Sequence, residues 1–311
     1  MAPNQGQKIQ WYYDPMVRLL LLLLVTLPLL VRCAAVPSPE EKAASLNRTI
    51  EEASRTIARN PTNAPAYAAR GYARGQLGDL QGEVTDLTQA IKLNPRIPTF
   101  YMSRGWAKGE LGDLQGAVDD HTRAIALNPY DPEPYYQRGV TQIRRGKHAT
   151  GIRDLTLAIQ MNPQYQQAYL SRGVAKCDTG VCEEGLEDLT RATQLDPSDA
   201  TAFISRGWAK GILGNYRGEI EDTTRAIELN RTLAEAYVNR GAAKYQSGEY
   251  QGAIEDSSFA LSLKPQLGLG YYYRGLAYQA INRTAEGRID LKRAQELLPE
   301  SKDDIAKFLQ D

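Results

Sequence analysis

The chain of 311 residues is long enough to bury a large core, and its Lys+Arg and Asp+Glu counts balance at 37 each. A formal net charge of zero gives no field for a nucleic acid or an anionic membrane surface. Two histidines and three cysteines leave little material for a metal centre or a catalytic nucleophile, so no cofactor and no metal are expected.

Residues 1–35 stand apart from everything that follows. Leu19 to Val31 is an apolar run of 13 residues between Arg18 and Arg32. A membrane span needs about 20 apolar residues and the apolar part of a signal peptide about 7–15, so the length favours export. Cys33-Ala34-Ala35 supplies small residues for cleavage before Val36. The long segment ahead of Arg18, and Arg32 beside the cleavage site, leave an uncleaved signal anchor as a second reading. A lipoprotein at Cys33 is the third, and Arg32 stands where such a site wants a small residue. On each reading the rest of the chain ends outside the cytoplasm, in a periplasm, a lumen or the medium, with a membrane touched only through this segment.

Residues 36–63 carry one helix. Ser38-Pro39-Glu40-Glu41 has the Ser, Pro and Glu of a capping box, and Leu46, Ile50, Ala53 and Ile57 form an apolar stripe that stops at Asn60-Pro61. It reads as the second half of a repeat whose first half is missing, and so as an amino-terminal cap.

From Ala64 the chain repeats every 34 residues without insertion. Arg-Gly recurs at Arg70, Arg104, Arg138, Arg172, Arg206, Arg240 and Arg274, and an aspartate keeps the same step from Asp86 to Asp290. A fixed period of this length marks a repeat solenoid. Counting Ala64 as position 1, position 4 is aromatic and position 27 is Ala in all seven copies. Position 8 is Gly throughout. Gly costs about 1 kcal/mol inside a helix relative to Ala, which calls for close approach of another helix. Position 15 is Gly in six copies and Asn282 in the last, as a left-handed helix stop requires. Position 32 is Pro except at Arg231, and it forces the residue before it out of helical geometry.

An aromatic at 4, Gly at 8, a small residue at 27 and Pro at 32 in 34 residues resembles the tetratricopeptide repeat. The resemblance implies an all-α fold, a right-handed superhelical α-solenoid of seven helix-turn-helix repeats over residues 64–299. A capping helix stands at each end, the second in residues 300–311, with Ile305, Phe308 and Leu309 on one side. Two positions depart from the family pattern together: 7 is Arg instead of Leu, and 23 is Asp instead of an aromatic. In a hairpin turning near position 15, residues whose positions sum to about 31 lie at one height. That rule predicts ion pairs Arg70–Asp86, Arg104–Asp120, Arg138–Asp154, Arg172–Asp188, Arg206–Asp222, Arg240–Asp256 and Arg274–Asp290. It also sets the cation at position 11 (Arg74, Lys108, Lys176, Lys210, Lys244) against position 20, where two repeats carry Glu83 and Glu219.

In this family the first helices line a concave groove. The Lys and Asn of its well-known carboxylate clamp are absent here, and the groove positions read apolar and aromatic: Tyr72, Met102, Trp106, Tyr136, Trp208, Tyr245 and Tyr272. Where position 9 is Tyr72, Trp106 or Trp208, position 12 is Gly75, Gly109 or Gly211. A side chain at 12 leans over the one at 9, so the glycine either opens a ring for a partner to stack on or compensates volume between helices. Cys177 and Cys182 bracket the turn of the fourth repeat. With Cys33 removed they are an even pair suited to a disulfide, the alternative being two small packing residues. His121 falls at a core position. The Asn-Arg-Thr triplets at Asn47, Asn230 and Asn282 match the glycosylation pattern. No phosphate loop and no catalytic constellation appears. The expected function is a non-catalytic scaffold that holds a segment of a protein partner in the groove. The second expectation is a membrane-anchored or self-associating assembly factor that uses its edges or convex face.

Overall fold

A computed structural model describes residues 38–309, and the segment read as a signal peptide or anchor lies outside them. Every element among the described residues is helical. Helix α1 (Pro39–Arg59) is followed by seven helical hairpins divided between two compact units. In the unit that ends at Pro163 the hairpins are α2 (Ala64–Gln76) with α3 (Leu80–Leu93), α4 (Pro98–Glu110) with α5 (Leu114–Leu127), and α6 (Pro132–Arg144) with α7 (His148–Met161). In the unit that begins at Gln164 they are α8 (Gln166–Asp178) with α9 (Cys182–Leu195), and α10 (Ala200–Ile212) with α11 (Tyr216–Leu229). Then come α12 (Ala234–Gln246) with α13 (Tyr250–Leu263) and α14 (Gly268–Ala280) with α15 (Thr284–Leu297), closed by α16 (Lys302–Ala306).

Within each unit the first helix of a repeat packs on its own second helix. That second helix packs on the first helix of the next repeat, and successive first helices touch. This is the layering of an all-α solenoid, in which each hairpin leaves an apolar face that only a neighbour can bury.

Residue choice explains the packing. The alanines at position 27, from Ala90 to Ala294, are fully buried, and a larger side chain there would hold the helices apart. Position 8 shows the same demand more sharply: a Cβ at Gly173 would sit 2.8 Å from the Gly185 carbonyl oxygen, and one at Gly275 would sit 2.9 Å from Leu291 Cγ. The close approach comes from the second helix of the same hairpin. At the turn Gly78 has φ +90°, and the amide of Asp79 donates back to the Arg74 carbonyl, closing the helix as a left-handed cap. Asn282 takes that conformation in the last repeat, at φ 63°.

The ends are finished differently. Ser38 and Glu41 exchange side-chain and backbone hydrogen bonds, so α1 opens on a complete capping box. At the other end Ile305 is buried against Leu276, Leu291, Ala294 and Leu298. Burying one such aliphatic side chain contributes roughly 2 kcal/mol.

Candidate functional site

Seven arginines at position 7 build the frame on which the rest is mounted. Each reaches the second helix of its own hairpin with two parallel hydrogen bonds to the position-23 aspartate; Arg70 Nε and Nη2 lie 2.9 and 2.7 Å from Asp86 Oδ2 and Oδ1. The pairs of Arg104, Arg138, Arg172, Arg206, Arg240 and Arg274 repeat this geometry at 2.6–2.9 Å. Each guanidinium also stands over the position-4 ring one turn earlier, as Arg206 does over Phe203 at 5.3 Å. Its Nη1 donates to a hydroxyl on the preceding second helix: Arg70 to Ser54, Arg104 to Thr88, Arg138 to Thr122, Arg240 to Thr224 and Arg274 to Ser258. One side chain thus ties hairpin, ring and preceding repeat. The hydrogen bond to aspartate is the main reason that Arg70, Arg138, Arg240 and Arg274 are raised above the ordinary arginine pKa.

The position-11 cations do not face position 20. Arg74 Nη1 lies 2.8 Å from Asp86, and Lys108, Lys176, Lys210 and Lys244 lie 2.8–3.0 Å from Asp120, Asp188, Asp222 and Asp256. The height rule ignores that position 11 is one turn beyond position 7 on the same face. A long stem therefore leans back to the aspartate already there.

This leaves Glu83 and Glu219 buried at position 20, and they account for two of the three glycines at position 12. A Cβ at Gly75 would overlap Glu83 Oε2, and one at Gly211 would overlap Glu219 Oε2. At the third, Gly109, a Cβ would meet only ordinary contacts at 3.6 Å, and Arg144 of the following repeat binds its carbonyl at 2.9 Å and Glu110 at 3.1 Å. Gly75 and Gly211 therefore make room for carboxylates, and nothing in the structure explains the glycine at 109.

The groove residues read from the sequence fall into separate groups. Tyr72 and Met102 lie half-buried on the core of Leu87, Ile91, Phe100 and Tyr101. Burial raises the pKa of the Tyr72 hydroxyl. Beside it Pro65, Ala68, Ala69, Asn94, Ile97 and Thr99 line an open cleft of about 320 Å³. Trp106 borders a polar nook with Glu110, His121, Gln137, Thr141 and Arg144, so the floor here is not the apolar one expected. Tyr136 is half-buried. Trp208 packs on Val174, Cys177, Cys182 and Leu189. Tyr245 and Tyr272 meet through Tyr273, with ring centroids 6.4 and 5.1 Å from it. Phe308 packs edge-on to Tyr272 at 6.1 Å, so that ring serves the carboxy-terminal cap. Burial pushes the Tyr272 hydroxyl up to about 12.

Cys177 and Cys182 are joined by a disulfide, Sγ to Sγ 2.13 Å, between the end of α8 and the start of α9. Next to it both carboxylate oxygens of Asp178 are buried without a hydrogen-bond partner among the described residues, and burial pushes this acid up to about 7. Asp178 and Arg144 were not among the residues that the sequence singled out. Glu83 was, as the expected partner of Arg74; its burial had one signal, Gly at 12 and Glu at 20 together in the first and fifth repeats.

The family profile described as "Tetratricopeptide repeat" matches residues 64–97, the first repeat. No curated protein matches the chain. Among solved structures, a tetratricopeptide repeat protein from Parabacteroides merdae ATCC 43184 is 18% identical, covers 84% of this chain and 98% of its own, and superposes with a TM-score of 0.64. The APC/C hetero-tetramer Cut9–Hcn1 is 15% identical over 86% of this chain and 55% of that one, with a TM-score of 0.66. Yeast Tom70 is 14% identical over 88% and 60%, with a TM-score of 0.58. At these identities the likeness is one of fold. Taken with seven copies of one 34-residue pattern, each folded as a helical hairpin, it gives the chain the fold of a tetratricopeptide-repeat solenoid, with residues 64–97 matching that family's model.

Proposed function

We propose that the protein is an interaction scaffold, presenting the first helices of its repeats to an extended or helical segment of another protein outside the cytoplasm. The observation that carries this reading is the open cleft between the first and second repeats, walled by Tyr72 and Ile97 and floored by small side chains. Trp106 in the same unit and Trp208 in the other are half-buried rings on first helices. A rigid hairpin frame suits such a role, because side chains fixed in advance lose less freedom on binding. The location outside the cytoplasm is supported by the apolar run Leu19–Val31 and by the Cys177–Cys182 bond, which persists in an oxidising compartment.

The test is selection of displayed random twelve-residue peptides on the full chain. Enriched peptides should share apolar or aromatic residues, and replacing both Trp106 and Trp208 with Ala should weaken them tenfold or more without loss of helix content. Failure to enrich any peptide, or equal binding to the double variant, removes the groove from the account. A second reading has its own observation: Ile289 is 68% exposed and Phe259 46%, each on a second helix. Self-association through those helices would show as a mass above one chain in light scattering, reversed by Ile289→Lys.

A further inference from the structure

Glu83 is only 4% exposed, and its Oε2 has no hydrogen-bond partner among the described residues. Gly75 closes over the carboxyl group, since a Cβ there would overlap Oε2. The missing side chain thus makes a seat in which the acid is shut off from water. Burial without a partner disfavours the charged form, and it pushes this acid up to about 7.

The charged groups around it are engaged elsewhere or stand apart. On α2, Arg70 and Arg74 both bind Asp86, and Arg70 stands over Tyr67. Tyr72 feels the Glu83 charge only as an obstacle to its own ionisation. On α4, Arg104 and Lys108 both hold Asp120, Arg104 stands over Tyr101, and Glu110 pairs with Arg144. On α3 itself Asp79 takes the amides of Gly82 and Glu83, Asp86 is a like charge, and Lys92 lies exposed in the last turn. Among the described residues nothing in the seat replaces the water that a carboxylate loses.

We propose that Glu83 is a proton-operated catch on the tip of the first hairpin: protonated, it stays seated beneath Gly75; ionised, it turns out to water and lets the tip loosen. The placement confines the movement. Gly75 stands in the last turn of α2 and Glu83 in the first turn of α3, on either side of the Gly78 turn. Leu87 and Ala90, further along α3, are fully buried and hold the rest of the hairpin. The sign follows from burial. As pH rises the loosened tip gives up its proton first, so opening grows between about 4.5 and 7 and levels off above that. His121, on α5, acts in the opposite direction, because its burial favours the neutral base. The catch is a property of the hairpin and does not depend on the groove reading.

The experiment is amide exchange of the full chain at pH 5, 6 and 7, with rates corrected for the intrinsic pH dependence of exchange. Opening at residues 75–84 should grow tenfold or more from pH 5 to pH 7 in the parent chain. In Glu83→Gln it should change less than twofold, because the amide fills the same seat and never ionises. Glu219→Gln makes the same change beneath Gly211 and should leave the first-hairpin profile as it is in the parent. A second measurement needs no variant: the carbon-13 signal of the Glu83 carboxyl should titrate at least one pH unit above the exposed glutamates. A flat profile in the parent, a pH response that survives Glu83→Gln, or a Glu83 carboxyl that titrates with the exposed glutamates overturns the catch.

Discussion

Asp86, Asp120, Asp188, Asp222 and Asp256 each hold two cations, whereas Asp154 and Asp290 pair with arginine alone among the described residues. The difference follows from position 11, which is Gln142 in the third repeat and Tyr278 in the seventh. Removing one partner of a buried pair costs roughly 3–5 kcal/mol when the other charge is left alone. Arg138→Met strands Asp154, but Arg104→Met leaves Lys108 2.9 Å from Asp120. The first should lose more stability than the second by at least about 1 kcal/mol in urea unfolding, and equal losses would show that the second cation is idle. His121 gives a residue-scale prediction in pH. It is 1% exposed at a position filled by Leu87, Leu155, Leu189 and Leu291 elsewhere, and burial holds it near 4, below the ordinary 6.5. The unfolded chain takes up the proton first as pH falls, so stability is lost between about 6.5 and 4. Between pH 7 and pH 5 the protein should lose roughly 2 kcal/mol more than His121→Leu does. Parallel acid limbs in the two urea-midpoint profiles would refute the assignment.

At the scale of the hairpin, much of the fold is legible in the chain. Position 15 marks the turn, positions 8, 10 and 27 mark where helices touch, and a constant period leaves no room for another register. The rule of equal heights fails at Arg74, because it treats side chains as points and a basic side chain reaches back a full turn. The burial of Glu83 was missed for a related reason. The same rule set it against Arg74, and the packed hairpin instead puts its carboxylate beneath Gly75. The disulfide is the one covalent tie among these hairpins, and it spans the α8–α9 turn. A loop this short gains about 2 kcal/mol from closure in the chain-entropy account. Replacing Cys177 and Cys182 with Ala should therefore speed amide exchange at the end of α8 and the start of α9, and leave α14 and α15 unchanged. Unaltered exchange at that turn would mean that the two sulfurs contribute packing alone.

At the scale of the molecule, each hairpin depends on its neighbours for cover, and the two ends borrow it. Helix α1 supplies a second-helix face to α2, and α16 sets Ile305 on the last hairpin with Phe308 beyond it on Tyr272. The arginine column also decides how either unit meets a pull along its repeats. Inside a hairpin each guanidinium holds its aspartate by two charge-assisted bonds of 2.6–2.9 Å. Toward the preceding repeat it offers one bond to a neutral hydroxyl, 3.3 Å from Arg70 to Ser54 and 3.1 Å from Arg104 to Thr88. Polar cohesion is thus stiff within a hairpin and compliant between hairpins. Under tension the seams between repeats give first while each hairpin stays latched, so the stack yields as a spring of whole links and closes again in the register it left.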